Sequence, residues 1–214
     1  MKEQEIRETL SDIRNMMERS QKVMYIDGRS GILAGIWALL GAVAVSLILS
    51  GSVCPLWGGS FNPVRTADAG TFLMVAVICA IVFAAAFLTV WIMSRRRARR
   101  EGLDFTLDAG TRHMLGNFFT VMVTGGFLCL TPIANGHWEL IPGYMLVFYG
   151  LAMVIVSPVL FRISVSKYMG YAQMAMGIAA LCLPRYGMMF WTLGFCIFHL
   201  MWGIWFMIFF DRMK

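Results

Sequence analysis

Apolar residues run along this chain in long blocks separated by short polar or charged stretches. A helix needs about 20 mostly apolar residues to cross a hydrocarbon core about 30 Å thick. The blocks at 31–50, 71–93, 114–133, 140–161, 168–183 and 188–210 meet or approach that length, and the fifth, closed by Pro184, is the shortest. Lipid offers the backbone no hydrogen-bond partner, so such blocks predict helices. The alternation over about ten residues that marks a membrane barrel strand is not visible. Residues 3–25 carry a different pattern. Ile6, Leu10, Ile13, Met17 and Met24 follow a 4-3-4-7 spacing and share one narrow helical face. The predicted fold class is therefore all-α: a polytopic membrane protein with six transmembrane helices in residues 30–214, preceded by a cytoplasmic amphipathic helix in residues 1–29. Gly28 is expected to break that first helix and Ser30 to cap the first span.

Composition narrows the class. Of 214 residues, 59% are hydrophobic and 14% charged, against about 45–50% and about 25% in an ordinary soluble domain. A simple soluble domain and intrinsic disorder are both excluded. Sixteen of the 18 Lys and Arg residues fall in the N-terminal tail, the connections after spans two and four, and the C-terminus. Only Arg65 and Arg185 lie on the other side. This bias predicts that both termini are cytoplasmic, with Trp57, Trp138 and Tyr186 near the outer boundary. The net charge of +6 then reads as an orientation signal, not as nucleic-acid binding. No cleavable signal peptide is recognisable.

The tail holds six cations and six anions within residues 1–30. A neutral helix with a narrow apolar seam suits another helix, in this chain or in a partner, better than an anionic lipid surface. Arg95, Arg96, Arg97, Arg99 and Arg100 abut the second span and read as a stop-transfer signal. They are also candidate contacts for anionic lipid head groups, each cation being worth about 1 kcal/mol near such a surface. The outer loop at 51–70 is long enough to be either a lid or a surface connection. Four cysteines (Cys79, Cys129, Cys182, Cys196) lie within spans as packing thiols, and Cys54 in the outer loop is the one that could meet Cys129 or Cys182.

Helical spacing sorts the spans into faces. Gly31, Ala34, Gly35, Ala38, Gly41 and Ala42 form a small-residue face on the first, a candidate seat for close helix packing. His113, Asn117, Thr120, Thr124 and Thr131 form a polar stripe on the third, expected to turn inward because lipid penalises it. Thr192 and His199 share a face of span six, and Gln173 sits in span five. Together these polar residues form a candidate interior site, open to two readings: interhelical hydrogen bonds, or a solvated path. No Asp, Glu, Lys or Arg lies inside a span, which argues against ion-coupled transport. No catalytic set is recognisable. His113, His137 and His199 fall at different depths, so no metal site and no cofactor is expected. The expected function is a non-enzymatic protein that binds a partner or senses the membrane through its N-terminal helix. Its expected partners are the bilayer, including anionic lipids, and a protein or a second copy of itself. The alternative is a small-solute channel or facilitator using the stripes on spans three and six.

Several segments resemble an uncharacterised family of small six-span bacterial membrane proteins: Met-Met-Glu-Arg-Ser at 16–20, Ser-Gly-Ile-Leu-Ala-Gly at 30–35, Val-Thr-Gly-Gly at 123–126, Val-Phe-Tyr-Gly-Leu-Ala at 147–152, and Tyr-Gly-Met-Met-Phe-Trp-Thr-Leu-Gly-Phe at 186–195 with His199 and Gly203 following. The likeness omits the 51–70 loop and departs at Asp27 and Arg29, where a more apolar lead-in would be expected. The resemblance implies the topology and, through an association with genes for small winged-helix regulators, a sensing or regulatory role.

Overall fold

The computed structural model describes residues 28–59, 68–100, 109–160 and 165–209. The expected N-terminal face of Ile6, Leu10, Ile13, Met17 and Met24 lies outside them. The architecture is all-helical, with no strand among the described residues. The long helices are α1 (Gly28–Ser50), α2 (Ala69–Arg100), α3 (Ala109–Ala134), α4 (Ile141–Leu160) and α5 (Val165–Cys182). The last helix, α6 (187–209), is built from an α-helical Gly187–Trp191, a π-turn at Thr192–Ile197 and an α-helical Phe198–Phe209. Among the described residues, five stretches are long and apolar enough to cross a membrane: Gly28–Ser50, Ala69–Arg100, Arg112–Ala134, Trp138–Ser157 and Pro184–Ile208.

Glycine determines the closest approaches. In α4 and α5, Gly150 faces Gly170 and Gly143 faces Gly177, and a Cβ on any of the four would meet the partner's carbonyl oxygen at 2.6–3.1 Å. These two antiparallel pairs, seven residues apart on each helix, let the backbones touch, as small residues do between membrane helices. The α1–α6 crossing uses the same device. A Cβ on Gly28 would lie 2.6 Å from the Gly203 oxygen, and one on Gly203 would lie 2.6 Å from the Gly28 oxygen. Gly28 is the first described residue of α1, so the break expected before it falls at the edge of the described residues, and Ser30 is a buried residue within α1 instead of its cap.

The π-turn lies where α6 changes neighbours. Its first segment packs on α4 and α5, and its last segment packs along α1. The N–H of Phe198 bonds to the carbonyl of Leu193, five residues back. The extra residue re-aims the helix at the point where its contacts switch, a common use of such turns.

Helix α2 packs on α1, where Gly41 receives Val82, and α3 packs on α4, where Gly125 receives Phe148. Between α2 and α3 the contact is aromatic: Phe87 and Phe119 meet edge to face at 5.6 Å, and Phe83 approaches Phe119 at 6.4 Å. A central cavity of about 440 Å³ opens behind these rings. Its presence explains why Ser94 and Ala98 are the only buried residues of α2. That helix also runs on through the arginine cluster, ending at Arg100.

The start of the outer loop folds over the bundle. Cys54–Trp57 forms a short 3-10 turn whose Pro55 and Leu56 are buried, Leu56 packing with Ala42 and Met188. Gly58 takes φ +104 above the Tyr186 ring, a conformation glycine adopts without strain, and its carbonyl accepts a bond from Arg185 Nε at 3.3 Å. All five cysteines are free thiols, so Cys54 pairs with neither Cys129 nor Cys182.

Candidate functional site: a polar node in an apolar cavity

The small-residue face of α1 opens on the cavity at Gly31, Ala34, Ala38, Gly41 and Ala42, while Gly35 packs against Cys196 and Leu200 of α6. Phe83 and Val82 of α2, Met122 of α3, Met145 of α4 and Met188 of α6 continue the wall. These residues line up because each helix repeats apolar side chains every three or four positions toward the centre. Residues from every long helix reach the cavity, yet no Lys, Arg, Asp or Glu among the described residues lines it.

Polarity is concentrated at one place, with Ser30 the other hydroxyl on the wall. A π-turn leaves carbonyls without their usual intrahelical partner, and the Gly194 carbonyl is put to use. It accepts from Gln173 Nε2 at 2.8 Å and from His199 Nδ1 at 3.4 Å. With Nδ1 donating, Nε2 is the acceptor, and Tyr149 O–H donates to it at 2.7 Å. The Tyr149 oxygen keeps a free lone pair beside the cavity, because a phenol both donates and accepts. Phe195 lies parallel to the His199 ring at 6.1 Å and tilts against Tyr149 at 4.7 Å. A Cβ at 194 would fall 2.5 Å from Gln173 Oε1, so a side chain there would push the glutamine aside. Each group here is neutral or hydrogen-bonded in the form that avoids burying a charge, which is what an apolar site demands. Two buried atoms nearby lack a partner: Gln173 Oε1 and the indole Nε1 of Trp191. Trp191 itself lines the cavity.

Of the residues singled out in the sequence, the structure brings Gln173 and His199 together on the Gly194 carbonyl. Thr192 instead bonds back to the Met188 carbonyl at 2.8 Å. The stripe on α3 does not join them. His113, Asn117, Thr120, Thr124 and Thr131 are exposed on the outside of the bundle. The opposite face of α3, with Met114, Phe118, Met122 and Cys129, turns to the cavity. The inward expectation fails because Thr120 and Thr124 satisfy their hydroxyls on the carbonyls four residues back, both at 2.8 Å. Threonines bonded in this way tolerate an apolar surround.

The arginine cluster forms the last turns of α2, with Arg95, Arg96, Arg99 and Arg100 exposed and Arg97 half-buried. Among the described residues no three metal-ligating side chains converge, and His137 with Glu139 makes only an exposed pair at 3.3 Å.

Tyr149, Trp191 and Gly194 were not anticipated as a site. A signal was present for one of them: Tyr149, the deeper of the two phenols in span four, needs a partner at that depth, and span six offers His199. No protein-family model, curated protein or solved structure matches this chain.

Proposed function

We propose that the chain crosses a bacterial inner membrane six times with both termini cytoplasmic, and that it works by binding and not by catalysis, as a sensing or partner-binding protein. The observation that carries this reading is the wall of the cavity. It is apolar along its length, and its histidine and tyrosine are bonded to each other. Such a space suits an apolar occupant better than a stream of water or ions. The small-residue face of α1 forms one wall, and α1 is the helix that follows the N-terminal segment. A change in what fills the cavity would bear on the α1–α6 crossing at Gly28 and Gly203 and so on the segment before it. The channel alternative loses support, because the polar stripe on α3 faces away from His199.

The test is capture from membranes with the full chain and with a chain lacking residues 1–27, which keeps Gly28 and its crossing with Gly203. The reading expects the captured proteins to be lost with the segment, and identical sets would overturn it. Solute flux in liposomes that drops on His199→Ala would instead restore the channel.

A further inference from the structure

We propose that two copies of this chain associate side by side in the membrane through the outward face of α3, with their Asn117 amides paired across a twofold axis. The proposal adds an interaction surface to the function above and does not depend on the N-terminal segment. It rests on the reading that the chain crosses a membrane.

Spacing is the first argument. His113, Asn117, Thr120, Thr124, Phe127 and Thr131 follow one another at intervals of 4, 3, 4, 3 and 4. At 3.6 residues per turn they fall within an arc of about 80°. That is the a and d pattern of a heptad, with Asn117, Thr124 and Thr131 at a and His113, Thr120 and Phe127 at d. At 1.5 Å per residue the seam is about 27 Å long, close to the roughly 30 Å depth of a hydrocarbon core. All six residues are exposed, as are Val123, Leu128 and Leu130 on the flanks. Phe127, at 69%, is the most exposed large apolar side chain of the long helices among the described residues. Helix α3 therefore packs into its own bundle by the opposite face and leaves a heptad seam bare along the depth of the membrane.

Hydrogen bonding is the second. Thr120 and Thr124 give their hydroxyl hydrogens to carbonyls of their own helix. The Asn117 amide has no hydrogen-bond partner among the described residues. It lies five residues beyond Arg112, about 7.5 Å inside the charged end of the helix. An amide in an apolar surround is costly unless it is hydrogen-bonded, and asparagine in a membrane helix commonly finds its partner on another helix.

Self-complementarity identifies that other helix as α3 of a second copy. Copies of one chain enter the membrane the same way round, so a closed pair has its twofold axis along the membrane normal. Each seam residue then meets its own counterpart at the same depth. The seam suits that arrangement at every level. An amide both donates and accepts, so two Asn117 side chains exchange hydrogen bonds. The threonines are small and uncharged, which permits close approach. Phe127 meets a second ring, and no Lys, Arg, Asp or Glu stands at an a or d position to repel its own copy. A single asparagine at an a position also fixes register and oligomer state in parallel coiled coils.

The experiment uses the full chain in cell membranes and in liposomes, with the exposed Cys54, Cys79 and Cys182 replaced by alanine and the buried Cys129 and Cys196 kept. Carbonate extraction comes first. Protein released by it would overturn the membrane reading and the proposal with it, whereas inserted protein that forms no dimer would overturn the proposal alone. On oxidation with copper phenanthroline, Thr120→Cys, Thr124→Cys, Phe127→Cys and Thr131→Cys should each give disulfide-linked dimers, because facing a and d positions come within disulfide reach. Met122→Cys on the bundle side of α3 and Ile178→Cys, exposed on α5, should give about a tenth of that yield or less. Asn117→Leu keeps the size of the side chain and removes the amide. It should raise the dimer dissociation constant roughly three- to twentyfold, read by energy transfer between labelled copies as the protein is diluted in lipid. Asn117 is exposed, so the fold should survive, and continued protection of Cys129 and Cys196 from maleimide checks that it does. Equal dimer yields at Thr124→Cys and Ile178→Cys would overturn the seam. An unchanged dissociation constant in Asn117→Leu would overturn the amide pairing. Cross-links from the seam to a different protein, in place of dimers, would overturn the second copy as its occupant.

Discussion

The glycine pair joining α4 to α5 permits a quantitative test of how this bundle is held together. In Gly150→Ala the new methyl group would sit 2.6 Å from the Gly170 oxygen and 2.8 Å from the Met174 nitrogen. Both are backbone atoms, so no side chain can swing aside and the helices must separate. Overpacking of this kind costs about 1–3 kcal/mol, and rigid backbone neighbours place it in the upper half of that range. Alanine returns up to about 1 kcal/mol through its better helix propensity. The net expectation is a destabilisation of about 1–2 kcal/mol. Gly170→Ala should behave alike, with its Cβ 2.8 Å from the Gly150 oxygen. Once one methyl has parted the helices the second meets less resistance, so the double variant should fall short of the sum by about 1 kcal/mol. Gly116 and Gly126 on α3 are the controls, since a Cβ at either meets nothing within 4 Å. Alanine there should stabilise by up to about 1 kcal/mol. Reversible unfolding in mixed micelles measures all five variants. Equal effects at Gly150 and Gly126, or full additivity of the Gly150 and Gly170 changes, would refute the backbone-contact argument.

Three other outcomes follow from the same structure. Tyr149→Phe strands the His199 Nε2 acceptor and should cost about 1–3 kcal/mol, part of which returns when His199→Phe is added; a double variant worse than the sum of the singles would contradict this. Outside the membrane, the Thr71 backbone N–H and then its hydroxyl bond to Asp68, holding that carboxyl below its ordinary value of 3.8; its stabilising contribution should be present above the unfolded-state value and lost as pH falls through the lower folded one, and a carboxyl NMR titration with an unshifted midpoint would count against it. In intact spheroplasts a membrane-impermeant maleimide should label exposed Cys54 and spare buried Cys129 and Cys196, whereas labelling of Cys54 only after lysis would invert the proposed orientation.

Long apolar blocks were legible because a membrane helix must satisfy its backbone internally, and the observed helices fall on those blocks. The faces were harder. Spacing put His113, Asn117, Thr120 and Thr124 on one side of α3 but could not say which way that side points. The threonines' own backbone bonds remove the reason for turning inward. Gln173 and His199 were recognisable as buried polar groups. What unites them is a carbonyl released by one surplus residue in α6, and no side-chain pattern reports a freed carbonyl. The cavity depends on gaps between helices distant in sequence, so its size could not be read from any single span.

The π-turn at Thr192–Ile197 also sets where α6 can lose a residue. Removing one there, Leu193 for example, would let the segment relax into regular α-helix. A π-turn absorbs its extra residue within one turn, so the segments on either side would keep their mutual register. Gly203 would stay at the Gly28 crossing, while the Phe198 N–H would take up the Gly194 carbonyl, four residues back in the shortened chain, in competition with Gln173 and His199. A deletion at Leu200, in the regular helix, would instead turn everything beyond it by about 100° about the axis and carry Gly203 away from Gly28. A single-codon deletion should therefore be less damaging inside the π-turn than just after it.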